Sequence, residues 1–315
     1  MTRDLTQLEL LIELEPVAEK SLDRHLSMAE DWHPHDYVPW DAGRNFAALG
    51  GQDWEPAQSG LGAVARAAMI TALLLEDNLP AYHRMISESF SEDGAWGTWV
   101  GRWTAEENRH AIVIRDYLVV TRGVDPVALD RDRMVHMCNG LDSPREWSGL
   151  LESVAFMTFQ ELAARVSHRN TGKICGDPVA DRILQRVAAD ENLHMIFYRT
   201  LCGAALDLAP DQAIRAITRV LTAFRMPGAA MPDPRRAEAL MSEHGIYDLR
   251  RHLDEVVDPM LTRWNIFERD DFGPEGERQR DELAALRARL AADTVRFEEQ
   301  RDRQPARREQ ISESV

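Results

Sequence analysis

Two short stretches of this chain have nearly the same sequence, Ala105-Glu-Glu-Asn-Arg-His110 and Ala189-Asp-Glu-Asn-Leu-His194. Each contains a glutamate three positions before a histidine. Residues three apart lie on the same face of a helix, about one turn from each other. The glutamate and the histidine of each stretch can therefore reach the same bound ion.

A lone glutamate precedes each motif in an apolar segment with helical periodicity. Glu76 lies 31 residues before Glu107, and Glu161 lies 30 residues before Glu191. One glutamate from each of two helices, with a Glu-x-x-His from each of two more, is the ligand set of a di-iron site in a four-helix bundle. The six predicted ligands are Glu76, Glu107, His110, Glu161, Glu191 and His194.

The charge of this set favours two divalent metal ions. Four buried carboxylates without a neutralising charge would cost a large free energy. Two divalent cations balance four negative charges, and two neutral imidazoles add ligands without adding charge. Because the set contains no thiolate, it favours iron or manganese over structural zinc. Cys138, Cys175 and Cys202 are odd in number, lack CxxC spacing and are expected to be free thiols.

Each of these signals has a simpler alternative. A lone Glu-x-x-His occurs by chance in many helical proteins, and Thr104-Ala-Glu-Glu107 also fits a capping box that would place Glu107 at a helix start. Tryptophans at positions 96, 99 and 103 follow helical spacing and indicate instead that the helix begins earlier. Asp77, beside Glu76, could equally be the ligand at that position.

Carboxylates also precede the glutamate of each motif, at Glu106 and Asp190. Metal-bound histidines usually donate their second ring N–H to a carboxylate, so both residues are candidates for hydrogen bonds to the ligating histidines. The alternative role for each is a solvated salt bridge. The other eight histidines show no metal spacing and are expected at the surface or as caps. They are His25, His33, His35, His83, His136, His168, His244 and His252.

The composition limits the class of protein. The chain has 315 residues, and its formal net charge of −16 argues against a general nucleic-acid binder. No run of 18 apolar residues occurs, since Arg66 interrupts the most apolar segment, Leu61–Leu75, so no membrane span is expected. The first residues lack the apolar core of a signal peptide, which predicts a cytoplasmic protein.

Helical periodicity runs through almost the whole chain, which predicts an all-α fold with two helix hairpins that each contribute half of the site. Pro80 is expected to kink the first long helix, and Ser143-Pro-Arg-Glu146 is a predicted helix start. Residues 32–54 and 226–236 are predicted to be irregular. Helices are predicted at 3–28, 60–88, 95–120, 144–170, 178–206, 210–224 and 275–302.

Several stretches together resemble the soluble acyl-acyl-carrier-protein desaturases, of the plant stearoyl type and more closely of the mycobacterial group. The resemblance extends from about residue 8 to residue 270. The stretch Trp103-Thr-Ala-Glu-Glu-Asn-Arg-His110 is nearly diagnostic of the family. The other matching stretches are Trp32-His-Pro-His-Asp-Tyr-Val-Pro39, Glu76-Asp-Asn-Leu-Pro-Ala-Tyr82, Phe159-Gln-Glu161, Ser167-His-Arg-Asn-Thr171 and Ala189-Asp-Glu-Asn-Leu-His194.

The resemblance implies a ferritin-like four-helix bundle core with additional helices, assembled as a homodimer. Residues 1–275 would form this domain, and 276–315 a charged C-terminal helix with a disordered tail. The six ligands would hold two iron ions and form the catalytic centre. The implied reaction is O2-dependent insertion of a cis double bond into a saturated chain on acyl carrier protein, with electrons from reduced ferredoxin. Trp32 and Asp190 match positions on the electron route.

Two departures from the family pattern bear on activity. Ala164 stands where family members often have a threonine that assists proton delivery, and Leu193 stands where the plant pattern has arginine. A third expectation concerns the carrier. Because both the carrier and this chain are acidic, a local arginine patch is predicted, with Arg225 and Arg235-Arg236 as candidates.

Other functions fit part of the same pattern. A di-iron hydroxylase or other oxidase would use the same ligands. A tyrosyl-radical reductase would use Tyr198, one turn after His194, although a core role for that residue is simpler. A pseudo-desaturase that binds the carrier without turnover is consistent with Ala164. The sequence leaves open the chain length, the position of the double bond, the electron donor and whether acyl-coenzyme A is the substrate.

Overall fold

The computed structural model describes residues 3–138, 147, 149–224 and 234–312, without the side chains of 234–238, 300 and 302–312. Within these ranges the chain forms thirteen α-helices and no β-strand, which confirms the all-α prediction. The helices are α1 (Gln7–Met28), α2 (Pro34–Tyr37), α3 (Ala63–Glu76), α4 (Leu79–Ser89), α5 (Gly94–Val120), α6 (Pro126–Cys138), α7 (Leu150–Ile174), α8 (Pro178–Leu208), α9 (Pro210–Ala223), α10 (Pro234–Glu243), α11 (Leu249–Arg251), α12 (Asp258–Arg263) and α13 (Pro274–Ser312).

Four of these helices form the core that positions the predicted ligands. Helix α7 packs along α8, which follows it after a short turn, while α3 packs against both α5 and α7. Helix α5 also contacts α8, and α1 lies across α5 and α8. Each of α3, α5, α7 and α8 carries one part of the ligand set, so the sequence prediction of two helix hairpins is confirmed at the level of the elements.

Local sequence explains where two of the core helices start. Asp177 accepts hydrogen bonds from the backbone N–H groups of Val179 and Ala180 at 2.8 Å, and Pro178 occupies the first turn of α8, as predicted. Helix α5 begins at Gly94, three turns before Glu107. Glu107 is therefore a mid-helix residue, and the capping-box interpretation of Thr104–Glu107 is wrong.

The predicted single helix at 60–88 is broken into α3 and α4. Helix α3 ends at Glu76 and α4 begins at Leu79. Pro80 has no backbone N–H, and its ring would clash with the carbonyl of residue 76 in a continuous helix, so the chain breaks instead of kinking. The break places Glu76 at the carboxyl end of its helix.

Helix α6 covers this break and holds its polar residues. Arg133 donates two hydrogen bonds to the carboxylate of Asp77, at 2.7 and 2.8 Å. His136 Nε2 lies 3.1 Å from Asn78 Oδ1. Asp77 thus pairs with Arg133, on α6, so the alternative in which Asp77 replaces Glu76 as the ligand is wrong.

Helix α7 ends later than predicted. It starts at Leu150, after Gly149 with a φ of +89°, and the predicted start at Ser143-Pro-Arg-Glu146 lies outside the described residues. It continues past Asn170 to Ile174, because Gly172 serves packing here and does not end the helix. A Cβ at Gly172 would stand 3.3 Å from the Cα of Asp181 on α8. Tertiary packing therefore overrides the local stop signal.

Segments outside the core agree in part with the sequence predictions. Residues 32–54 contain only α2 and two short 3-10 turns, as predicted for an irregular segment. Helix α13 packs on α9, with Leu283 buried, and it runs to Ser312, beyond the predicted end at residue 302. The division at residue 275 stays a prediction. Of the predicted irregular segment at 226–236, the last three residues belong to α10, so the prediction is wrong there. Residues 225–233, which include Arg225, and the side chains of Arg235 and Arg236 lie outside the described residues.

Candidate metal centre

All six predicted ligands meet at the centre of the bundle. Their side chains are buried, none with more than 7% of the residue exposed. Their ligand atoms fall into two overlapping groups, each within a 4.8 Å span. Glu107 and Glu191 belong to both groups, so each could bridge two ions. The first group is Glu76, Glu107, His110 and Glu191, and the second is Glu107, Glu161, Glu191 and His194.

The two histidines present the same ring atom to the centre. His110 Nδ1 lies 3.5 Å from Glu76 Oε2, 3.7 Å from Glu107 Oε2 and 3.6 Å from Glu191 Oε1. His194 Nδ1 lies 3.6 Å from Glu161 Oε2 and 3.4 Å from Glu191 Oε2. Two atoms that bind one ion at about 2.1 Å lie roughly 3 to 4 Å apart, so these separations fit a shared cation.

An unpaired buried atom also fits a bound cation. His110 Nδ1 is buried and has no hydrogen-bond partner among the described protein atoms. A buried polar atom without a partner is costly, and a cation would supply the missing contact. Glu107 Oε1, by contrast, lies 2.7 Å from His194 Nδ1. The donor set of carboxylate and imidazole, without any of the three free cysteines, fits iron or manganese.

The electrostatics of the carboxylates indicate the same need for positive charge. Burial, together with the charges of Glu107 and Glu161, raises the pKa of Glu191 well above its usual range. Burial and the charge of Glu107 also raise the pKa of Glu161. Burial and like charges therefore oppose ionisation of these two carboxylates. A bound divalent cation reverses this effect, because it favours the charged form of every carboxylate around it.

The second nitrogen of each ligating histidine contacts a buried carboxylate from the opposite motif. His194 Nε2 lies 2.9 Å from Glu106 Oε2, and His110 Nε2 lies 3.3 Å from Asp190 Oδ2. Each carboxylate can accept the Nε2–H and so leave the Nδ1 lone pair directed at the centre. Glu106 and Asp190 therefore occupy the positions expected of residues that orient metal ligands, and neither is a solvated surface residue.

Trp32 extends the contacts of Asp190 away from the centre. Its indole Nε1 donates to Asp190 Oδ2 at 2.7 Å, and its ring stacks on His110 with a centroid distance of 6.3 Å. Arg109 packs over the indole ring of Trp32, with its guanidinium carbon 4.9 Å from the ring centroid. Although burial opposes ionisation, the hydrogen bonds from His110 and Trp32 lower the pKa of Asp190 to about 2.

His25, which was expected at the surface or as a cap, is buried beside Glu106. Its Nε2 lies 2.9 Å from Glu106 Oε2, the oxygen that also contacts His194. His25 contacts Glu106 and Trp32 contacts Asp190, so each of the two carboxylates has a second partner besides its ligating histidine. His25, Glu106 and His194 could gather round an ion, but the two 2.9 Å separations are hydrogen-bond lengths. A pattern was present in the sequence, since His25 continues the buried stripe of Leu14, Ala18 and Leu22 on α1.

His168 is the second histidine at the centre that the sequence prediction missed. It is fully buried, and its Nε2 lies 2.5 Å from Glu76 Oε1 and 3.7 Å from Glu191 Oε1. It follows Glu161 by seven residues, which places both on one face of α7. That spacing was the available signal. The surface prediction is also wrong for His136 and His252, which are each 4% exposed.

The remaining neighbours of Glu161 are mostly aromatic. Trp103 Nε1 donates to Glu161 Oε1 at 2.9 Å. Tyr198 is buried in the core, and burial together with the charge of Glu161 raises its pKa well above the usual range. Ala164, one turn after Glu161, is buried and presents only a methyl group. The hydroxyl that many family members have at this position is therefore absent from this chain.

Comparison with known proteins identifies the family. The sequence model described as fatty acid desaturase matches residues 6–314 of the chain. This chain belongs to the fatty acid desaturase family. It is 52% identical over 321 residues to Mycobacterium tuberculosis DesA1, named an acyl-[acyl-carrier-protein] desaturase, with 100% of this chain and 95% of DesA1 covered. The match makes this desaturase a member of an oxidoreductase family.

Two further relatives extend the comparison. The X-ray structure of the acyl-ACP desaturase DesA2 from Mycobacterium tuberculosis superposes with a TM-score of 0.71 at 34% identity, covering 86% of this chain and 98% of DesA2. The chloroplastic stearoyl-[acyl-carrier-protein] 9-desaturase 6 of Arabidopsis thaliana is 30% identical over 241 residues, covering 70% of this chain and 61% of the plant protein. The predicted ferritin-like helical fold is confirmed. None of the described helices is both long enough and apolar enough to cross a membrane.

Proposed function

We propose that this desaturase inserts a cis double bond into a saturated acyl chain carried on acyl carrier protein, using O2 and electrons from reduced ferredoxin. The observation that carries the proposal is the convergence of four glutamates and two histidines into two groups that share Glu107 and Glu191. The names of the relatives support the carrier-bound substrate. In the net reaction, two hydrogens of the acyl chain, two electrons and two protons convert one O2 into two waters.

Two iron ions are the proposed cofactor. Glu76 and His110 would hold one ion, Glu161 and His194 the other, and Glu107 and Glu191 would contact both. Bound iron would supply the oxidising power that removal of hydrogen from an unactivated methylene requires. We propose that the enzyme acts as a homodimer, as the resemblance implies.

The protein itself fixes the geometry and the proton positions of this centre. Glu106 and Asp190 accept the Nε2–H of His194 and of His110, which fixes the tautomer of each ring and directs its Nδ1 toward the centre, where a bound cation would take the place of a proton. Trp32 donates to Asp190 and stacks on His110, so one hydrogen-bonded chain leads from the tryptophan to the centre. We assign the entry of electrons to this chain. Burial of all six ligands excludes bulk water from the reaction.

Product analysis tests this function. The iron-loaded, reduced protein would be incubated with acyl carrier protein bearing C16 or C18 chains, reduced ferredoxin and O2. An unsaturated chain is the expected product. A hydroxylated chain would indicate the oxidase alternative. No product from fully iron-loaded protein would favour a carrier-binding pseudo-desaturase, for which the methyl group of Ala164 is the structural argument.

A further inference from the structure

A basic groove lies on the outer side of α7 and α8, beside the π-helix at His252–Val257 and α12. Its volume is about 490 Å³. Arg165, Arg169, Lys173 and Arg199 line it, and Glu255 is the one acidic residue among its described lining residues. The groove is therefore positively charged, although the chain as a whole carries a net charge of −16.

Some of these charges are compensated within the protein, and others are not. Arg169 pairs with Asp181 at 2.6 Å, and Glu255 pairs with Arg251 at 2.5 Å. Arg165, Lys173 and Arg199 have no carboxylate within ion-pair distance in the part of the chain that the structure describes. The uncompensated charge of the groove therefore lies on these three residues, two on α7 and one on α8.

Two more arginines without a described carboxylate partner lie near Arg199. They are Arg24 on α1 and Arg263 on α12. Burial, with the positive charges of Arg263 and Arg24, lowers the pKa of Arg199. We call Arg24, Arg165, Arg199 and Arg263 the arginine face. Like charges at close range repel, so an anionic partner that contacts all four would gain free energy that the free protein lacks.

The floor of the groove is apolar and lies next to the candidate metal centre in the chain. Leu162 and Met195 line it, and both are buried. Leu162 directly follows Glu161, and Met195 directly follows His194. A partner seated on the arginine face is therefore beside the half of the centre formed by Glu161 and His194.

We propose that the arginine face is the docking surface for acyl carrier protein, an inference that rests on the proposed function. The carrier is acidic, and an acidic partner is repelled by most of this chain but attracted here. The electron donor fits the surface less well, because the Trp32–Asp190 chain leads to His110, in the other half of the centre. Separate surfaces would let both partners bind during one turnover.

Charge reversal tests the docking surface. The double variant Arg165→Glu with Arg199→Glu is compared with Arg84→Glu with Arg278→Glu, which changes the net charge equally at two exposed arginines of other helices. Affinity for acyl-loaded carrier protein is measured by fluorescence anisotropy at low and high salt. The face variant should bind about tenfold or more weakly and lose much of the salt dependence, while the control variant binds like wild type.

Several results would overturn the inference. Equal carrier affinity in the face variant and the control would do so, as would a face variant that binds carrier normally but is reduced more slowly by ferredoxin. If the first variant does not fold, Arg24→Gln with Arg263→Gln, at two exposed positions, gives the same comparison. Arginine-dependent carrier binding without any unsaturated product would instead overturn the proposed function and leave the docking surface standing.

Discussion

The two halves of the candidate centre orient their histidines in the same way but with different outer residues. Each ligating imidazole contacts a buried carboxylate, Glu106 for His194 and Asp190 for His110. Beyond these carboxylates the halves differ, because His25 contacts Glu106 whereas Trp32 contacts Asp190. An indole can pass electrons, while the His25 ring holds the Glu106 carboxylate in place by a contact at hydrogen-bond distance. We therefore expect the Trp32 half to serve electron entry and the His25 half to serve positioning.

Removal of a shared glutamate should empty both metal positions. Glu107→Ala and Glu191→Ala each delete a carboxylate that belongs to both groups, so iron content should fall from about two per chain to well below one. Metal analysis of the purified protein measures this. Glu88→Ala, at an exposed position of α4, is the control and should keep its iron. Full iron in the Glu107 and Glu191 variants would show that the ligand assignment is wrong.

Removal of His25 should affect one ion more than the other. Without His25, Glu106 loses one partner and holds His194 less firmly, so His25→Ala should weaken one metal-binding step by about 10- to 100-fold. Stepwise titration of the metal-free protein with Fe²⁺ or Co²⁺ resolves the two steps. His244→Ala, at an exposed histidine, should titrate like wild type. Equal weakening of both steps would contradict a local role for His25.

Spacing along one helix predicted the ligands but could not predict their histidine neighbours. The Glu-x-x-His pattern is a property of a single helix, so α5 and α8 could be recognised separately. His25 reaches the centre from α1, and His168 approaches Glu76 from another helix. Such contacts depend on how helices pack, which a single sequence does not specify. Both residues were therefore expected at the surface or as caps, although each continues a buried helical stripe.

At the scale of elements, α6 contacts the break between α3 and α4 through an ion pair with Asp77. Asp77 is 5% exposed, and Arg133 is its bidentate partner. Arg133→Ala would leave a nearly buried carboxylate without its cation and should lower the free energy of unfolding by about 2 kcal/mol. Urea denaturation measures the change, and Arg131→Ala, an exposed arginine of α6, provides the comparison. Equal stability of the two variants would count against the contact.

The π-helix contains a histidine that should make stability depend on pH. Burial lowers the pKa of His252 from 6.5 to about 4, so the unfolded chain binds a proton that the folded chain does not. The free energy of unfolding therefore has its full value with respect to His252 above pH 6.5. It decreases as the pH falls toward 4, because protons bind the unfolded chain first. Between pH 7 and 4.5, wild type should lose about 2 kcal/mol more than His252→Gln. Denaturation at a series of pH values tests this, and parallel curves would contradict it.

The elements themselves were predicted well where local chemistry decides them. Asp177-Pro178 starts α8 as expected, and Pro210 starts α9. Two predictions about helix ends failed, for different reasons. Gly172 looked like a stop but permits close approach to α8, a contact that depends on packing. At Pro80 the chain breaks where a kink was expected, since α3 ends at Glu76 and α4 begins at Leu79.

At the scale of the whole molecule, a strongly acidic chain buries four of its carboxylates around one centre. Metal removal should therefore destabilise the entire bundle, since the ions bind only the folded state. Chelation should lower the melting temperature by roughly 5 to 10 °C. Circular dichroism measures the transition, and Glu191→Ala, which lacks a shared ligand, should respond much less to the chelator. A melting temperature unchanged in wild type would contradict a metal-stabilised fold.

The crossed contacts between the motifs also limit how such a protein can be altered. The carboxylate that orients His194 lies on α5, and the one that orients His110 lies on α8. Neither hairpin contains a complete half of the centre. A chimera that replaced one hairpin with an unrelated one would lose one histidine and also the carboxylate that orients the other. The two hairpins must therefore be exchanged together.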